Sequence, residues 1–144
     1  MKGGCCMTRS DQARLLLRKA SQDLAVLDKL IYEPSIDDET LGFHAQQAAE
    51  KALKPLLALA GCDYPRSHNI GLLLDLFTGQ GIALPANTDA LAALIPFGTV
   101  FRYDDLPFED IPDRHSWPPL LHRLLAEVQG LIDAGGSPGP ASSP

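Results

Sequence analysis

The stretch DETLGFHAQQAAEKALKPLLALA, residues 38–60, decides how the rest of the chain is read. Leu41, Ala45, Ala48, Ala49, Ala52, Leu56 and Leu59 recur at steps of three and four, which gathers them on one side of a helix. Four of the seven are alanines, so a neighbouring helix can approach closely, as in a tight bundle or a dimer seam. Asp37, Asp38 and Glu39 place negative charge at the end where the helix dipole favours it, and Gly61 is a natural terminator. Pro55 is the anomaly. It removes one backbone hydrogen bond at a cost of about 3 kcal/mol, and predicts a kink near Lys51 to Pro55.

The same period extends outward in both directions. Residues 10–31 predict a helix with Leu16, Ala20, Leu24, Leu27 and Ile31 on one face and Ser10 or Asp11 as its cap. Glu33-Pro34-Ser35 ends it in a turn. After the loop 62–66, Ser67 or His68 opens a third helix carrying Ile70, Leu73, Leu74 and Phe77, which Gly79 and Gly81 close. A fourth is expected after the linker 85–87, with Asn87 or Thr88 as cap, the stripe Leu91, Leu94, Gly98 and Phe101, and a kink at Pro96. The acidic, proline-bearing segment 104–113 reads as a loop. Ser116-Trp-Pro-Pro119 opens a fifth helix, proline being tolerated in a first turn, with Leu121, Leu124 or Leu125, Val128 and Ile132 inside. The expectation is an all-α, antiparallel up-and-down bundle of four or five helices over residues 10–134. Residues 1–9 and the Gly/Pro/Ser-rich 135–144 are expected as a flexible and a disordered tail.

Composition narrows the function classes. The 144 residues carry 12 Lys and Arg against 18 Asp and Glu, a net charge of −6, which disfavours a broad nucleic-acid-binding surface. No apolar run reaches the roughly 18–20 residues of a membrane span, and the first residues lack a secretory core. Three cysteines without a CxxC spacing predict no zinc knuckle or redox motif and suit the reducing cytoplasm. The chain contains no P-loop, GxGxxG, HExxH or GxSxG motif. His44, His68, His115 and His122 have no metal-ligand spacing, so no metal or cofactor is expected.

The densest polar feature lies on the helix quoted first. Gln46, Glu50 and Lys54 fall four apart, and the plain reading is a solvated face with an intrahelical Glu50–Lys54 pair, about 0.3–0.5 kcal/mol. The functional reading is a groove in which His44, Gln47, Lys51 and Lys54 meet Arg66, His68 or Arg102 and hold a phosphate through charge-assisted hydrogen bonds. Arg102-Tyr103 reads equally as a helix C-terminal cation or as an arginine directed into the cleft or a dimer interface.

At residues 43–54, FHAQQAAEKALK, the chain resembles the signature helix of HEPN domains (higher eukaryotes and prokaryotes nucleotide-binding). Tyr64-Pro-Arg-Ser-His68, the leucine-rich helix after it and Phe101-Arg-Tyr103 follow in the order that family shows, and the likeness spans about Ser10 to Ile132. It implies a helical bundle like that of nucleotidyltransferase substrate-binding subunits, commonly a homodimer. Relatives include partners of minimal nucleotidyltransferases in toxin–antitoxin pairs, and ribonucleases acting at a dimer cleft. The implied ligand-binding set is His44, Gln47, Lys51, Lys54, Arg66, His68, Arg102 and Tyr103.

The ribonuclease branch carries Arg and His separated by four to six residues on one helix. Here Arg66 and His68 are separated by one, Arg102 and His115 by twelve, Arg114 and His122 by seven, and Arg114 adjoins His115. The usual proton-transfer group for RNA cleavage is missing. The expectation is therefore a non-catalytic dimer that binds a nucleotide, a nucleotidyltransferase partner, or both. The alternatives are a ribonuclease with a non-standard site and a purely structural dimerisation module built on the alanine stripe.

Overall fold

The computed structural model describes residues 7–98 and 113–141. Five α-helices occur among them: α1 (Arg9–Leu30), α2 (Asp38–Leu59), α3 (Ile70–Gly79), α4 (Thr88–Ala92) and α5 (Trp117–Asp133). A single 3₁₀ turn, Arg114–Ser116, leads into α5. The protein is an all-α bundle.

The cap of α1 is Thr8, upstream of the expected Ser10 or Asp11. Thr8 Oγ1 accepts from the Asp11 backbone at 3.0 Å, and the Asp11 carboxylate returns a bond to the Thr8 backbone, a reciprocal capping box. The buried stripe is Ala13, Leu17, Ala20, Leu24 and Leu27. Leu16 is only half-buried, because the 3.6-residue period that passes through Ala20 and Leu24 runs back to Leu17.

Fourteen of the 22 residues of α2 are buried, so this helix is surrounded rather than laid on a surface. It packs against α1, α3 and α5. Ala45, Ala48, Ala49 and Ala52 are fully inaccessible within one chain. Of the two readings of the alanine stripe, tight bundle or dimer seam, the structure takes the first: the stripe is bundle core. The helix runs unbroken through Pro55, whose buried ring sits among buried Leu53, Leu56 and Leu57.

Pairings between the ends fix the directions. Arg9 reaches the Ala58 carbonyl, so α1 and α2 run antiparallel. His122 near the start of α5 bonds Asp28 near the end of α1, so that pair is antiparallel too. Arg114 gathers the α1–α2 turn onto the start of α5. Its guanidinium donates to the Ile36 carbonyl at 2.7 Å, the Glu33 carbonyl at 3.0 Å and Asp38 Oδ1 at 3.2 Å. Beside it, hydrogen bonds from the His115 backbone and ring hold Asp113 below the usual carboxylate range.

α3 begins at Ile70 rather than at Ser67 or His68, and is capped by Asn69, whose Oδ1 accepts from the Leu72 backbone. Asn87 precedes α4 with φ of +63°, a left-handed conformation that asparagine tolerates. The single fourth helix expected around Pro96 is divided. α4 ends at Ala92, residues 93–95 form turns, and Pro96 opens a new helical segment over 96–98, where its missing N–H is harmless. Residues 137–141, expected within a disordered tail, lie back along the chain: Ala83 donates to the Gly139 carbonyl and Ala141 to that of Gly81.

Gly42 makes the bundle close at its centre. A Cβ there would fall 2.2–2.5 Å from the Phe97 ring, which is buried and stacks edge-on to Trp117 at 5.2 Å. Glycine to alanine inside a helix ordinarily stabilises by about 0.5–1 kcal/mol. Here Gly42→Ala is expected to destabilise by about 1–3 kcal/mol through overpacking, measured as a lowered urea midpoint. A midpoint that rises would show that Phe97 does not lie over Gly42.

Candidate functional site

Successive α2 residues are rotated by about 100°, so His44, Lys51, Gln47, Lys54, Glu50 and Gln46 form one continuous polar arc. The fold covers one half of this arc, Gln46, Glu50 and Lys54, and leaves His44, Gln47 and Lys51 half-buried. Gln46 is inaccessible, Glu50 is 1% exposed and Lys54 8%. That overturns the solvated-face reading, because the 62–69 loop and the Gly98 backbone close over the row.

The arc separates into two clusters. On the α1 side, Asp23 accepts from Lys51 Nζ at 2.6 Å and faces His44 Nδ1 at 3.3 Å. On the other side, Glu50 pairs with Lys54 within the helix and with His68 Nδ1 at 3.1 Å. Gln46 Nε2 donates to the His68 carbonyl at 2.7 Å, and Gln47 Nε2 donates to Gln46 Oε1 at 2.8 Å. His68 is thereby gripped from below at both its ring and its backbone. Lys54 also sits 5.8 Å over the Tyr64 ring. Burial pushes the Tyr64 phenol above its ordinary value, opposed by the hydrogen bond it accepts from Gln12 at 2.7 Å.

Above this floor opens a cleft of about 350 Å³ lined by Arg66, Ser67, His68, Asn69, Ile95 and Gly98. The imidazole of His68 is 71% exposed although its Nδ1 is held, which leaves Nε2 free to meet a ligand. α3 begins at Ile70; Asn69 takes the Leu72 N–H and Ser67 that of Asn69, so of the first turn only the backbone N–H groups of Ile70 and Gly71 lack helical or capping partners. Gly98 packs closely on this arrangement. A Cβ there would lie 3.1 Å from Gln46 Nε2 and would crowd the bond to the His68 carbonyl.

Of the residues expected at the site, Arg66 and His68 line the cleft, Lys54 is joined to His68 through Glu50, and Gln47 through Gln46. It turns His44 and Lys51 toward Asp23. Arg102 and Tyr103 lie outside the described residues. Glu50 and Gln46 belong to the site yet were read as surface; the signal available was a row of polar residues four apart on a helix with few other solvent-facing positions.

A family model for the HEPN domain matches residues 13–129. The chain belongs to the HEPN domain family. The match begins inside α1 and ends inside α5, so it takes in all five helices and the cleft. No curated protein and no solved structure matches this chain. Among the described residues of this HEPN domain no helix is long and apolar enough to cross a membrane.

Proposed function

We propose that this chain is a non-catalytic HEPN-domain protein that binds the phosphate of a nucleotide in the Arg66–Asn69 cleft. In this reading it works as a homodimer, with a minimal nucleotidyltransferase as partner in a toxin–antitoxin-type system. The observation that carries the ligand half is the two-point grip on His68 by buried Glu50 and Gln46 beneath Arg66. The His68 imidazole, held before the ligand arrives, loses little entropy on binding, and the exposed Arg66 guanidinium donates charge-assisted hydrogen bonds to phosphate oxygens. The missing Arg–His spacing supports the non-catalytic half.

Calorimetric titration with nucleoside mono- and triphosphates tests it. Saturable heat is expected, with affinity reduced about tenfold in Arg66→Ala, the loss of one charged hydrogen-bond partner. Lys51→Ala, whose ammonium faces Asp23, is expected to leave affinity unchanged. No heat with any nucleotide overturns the reading.

One feature favours a second reading, a ribonuclease with a non-standard site. Glu50 and His68 form a carboxylate–imidazole pair, the arrangement that orients a general base. Purified protein that leaves all cellular RNA intact removes it.

A further inference from the structure

α1 has a second face that the bundle leaves uncovered. Arg14, Arg18, Ser21, Ala25 and Asp28 are all exposed. Beside them, between α1 and α5, runs a groove of about 330 Å³ with Leu17, Leu24 and Leu125 in its walls and the His122–Asp28 pair at one end.

The order of charges on this face is symmetric. Seven residues make nearly two helical turns, so Ser21 lies about 20° around the axis and about 10.5 Å along it from Arg14, and Asp28 the same again from Ser21. Cation and carboxylate are therefore equidistant from Ser21, on opposite sides. A two-fold axis through Ser21 sets every residue i opposite residue 42 − i of a second copy. Arg14 then meets Asp28 twice, Leu17 meets Ala25, and Ser21 meets itself. Such self-complementarity is what an isologous interface requires.

Three further details fit. Arg14 forms no ion pair among the described residues. His122 occupies only Oδ2 of Asp28, and a carboxylate can accept from a second cation. Ser21 donates its hydroxyl to the Leu17 carbonyl at 3.0 Å, so the centre of the face can lose water without stranding a donor.

We propose that the exposed face of α1 docks on the same face of a second copy of this chain, antiparallel, with the two-fold axis at Ser21. The inference rests on the homodimer reading and adds the surface and register to it. Its occupant is a second copy, because a two-fold axis at Ser21 lets the basic and acidic ends of the one helix complete each other.

The test is sedimentation or light scattering of the full chain over a concentration series, each variant's helicity being checked by circular dichroism. Wild type is expected to dimerise. Arg14→Glu is expected to raise the dimer Kd at least about tenfold by setting like charges opposite, and the Arg14→Glu/Asp28→Arg double variant to recover it to within about threefold. Ser21→Cys is expected to give a cysteine 21 to cysteine 21 cross-link under mild oxidation, identified by peptide mass mapping. That outcome needs the two Cα atoms within about 7 Å and does not depend on the stability of charge variants. A wild-type dimer indifferent to Arg14→Glu and without the cross-link overturns the surface while leaving the homodimer reading intact. A wild-type monomer at every concentration overturns both.

Discussion

Replacing Glu50 with alanine is expected to destabilise the protein by about 3–5 kcal/mol, the cost of leaving one half of a buried ion pair behind. The lysine left behind is Lys54, whose side chain is 10% exposed and whose counter-charge is 1% exposed. Surface i, i+4 pairs contribute only tenths of a kcal/mol. Burial is what changes the magnitude. Water cannot replace the missing carboxylate, so the ammonium must be neutralised or drag part of α2 outward. His68 loses its ring anchor in the same step. Urea unfolding monitored by circular dichroism measures the loss as a lower midpoint at an unchanged slope. The paired variant Glu50→Leu/Lys54→Met is expected to recover most of the stability, because similar apolar volume often replaces a buried pair without net loss. A cost below about 1 kcal/mol for Glu50→Ala would mean that the pair is hydrated in solution and the arc open to water. Nucleotide titration of a folded paired variant then separates roles. Loss of affinity with stability restored would locate the importance of Glu50 in holding His68.

The periodicity of α1, α2, α3 and α5 was legible because apolar residues at steps of three and four leave little choice of face. The ends were less so. Thr8 displaced the expected cap of α1 and Asn69 the expected start of α3, since several polar residues compete near each helix start and geometry selects the one whose oxygen reaches the right N–H. The break before Pro96 was hidden for a related reason: proline suits a first turn as well as it marks a kink. The site was legible by residue type rather than by partner. Lys54, Arg66 and His68 come from two segments that the fold joins, whereas Asp23, which takes His44 and Lys51 away, lies on a different helix, α1, on its polar side. Sequence spacing reports which residues share a face of one helix. It is silent on which second element covers that face, and that decided whether Gln46 and Glu50 met water.

The same ambiguity gives the largest expected effect. Ala48→Arg is expected to abolish folding, costing at least about 4–5 kcal/mol out of a total stability of about 5–15 kcal/mol. Ala48 has no accessible surface within a single chain, and its α2 neighbours Ala45, Ala49 and Ala52 have none either. An arginine there would need several heavy atoms' worth of space in a closely packed helix contact, and it would bring a guanidinium to a position with no accessible surface. Both changes act in the same direction: overpacking strains the surrounding helices, and the introduced charge is desolvated. Had the alanine stripe been a seam between copies, the same substitution would yield a helical, folded monomer. Circular dichroism with light scattering distinguishes the two results, and a folded Ala48→Arg monomer would return the stripe to the surface. The contrast with α1 is physical. Ser21 and Ala25 are small residues that the bundle leaves exposed between opposite charges, so changes there are expected to alter assembly in a folded chain. On α2 the small residues let three helices converge on one, and enlarging them removes the fold itself.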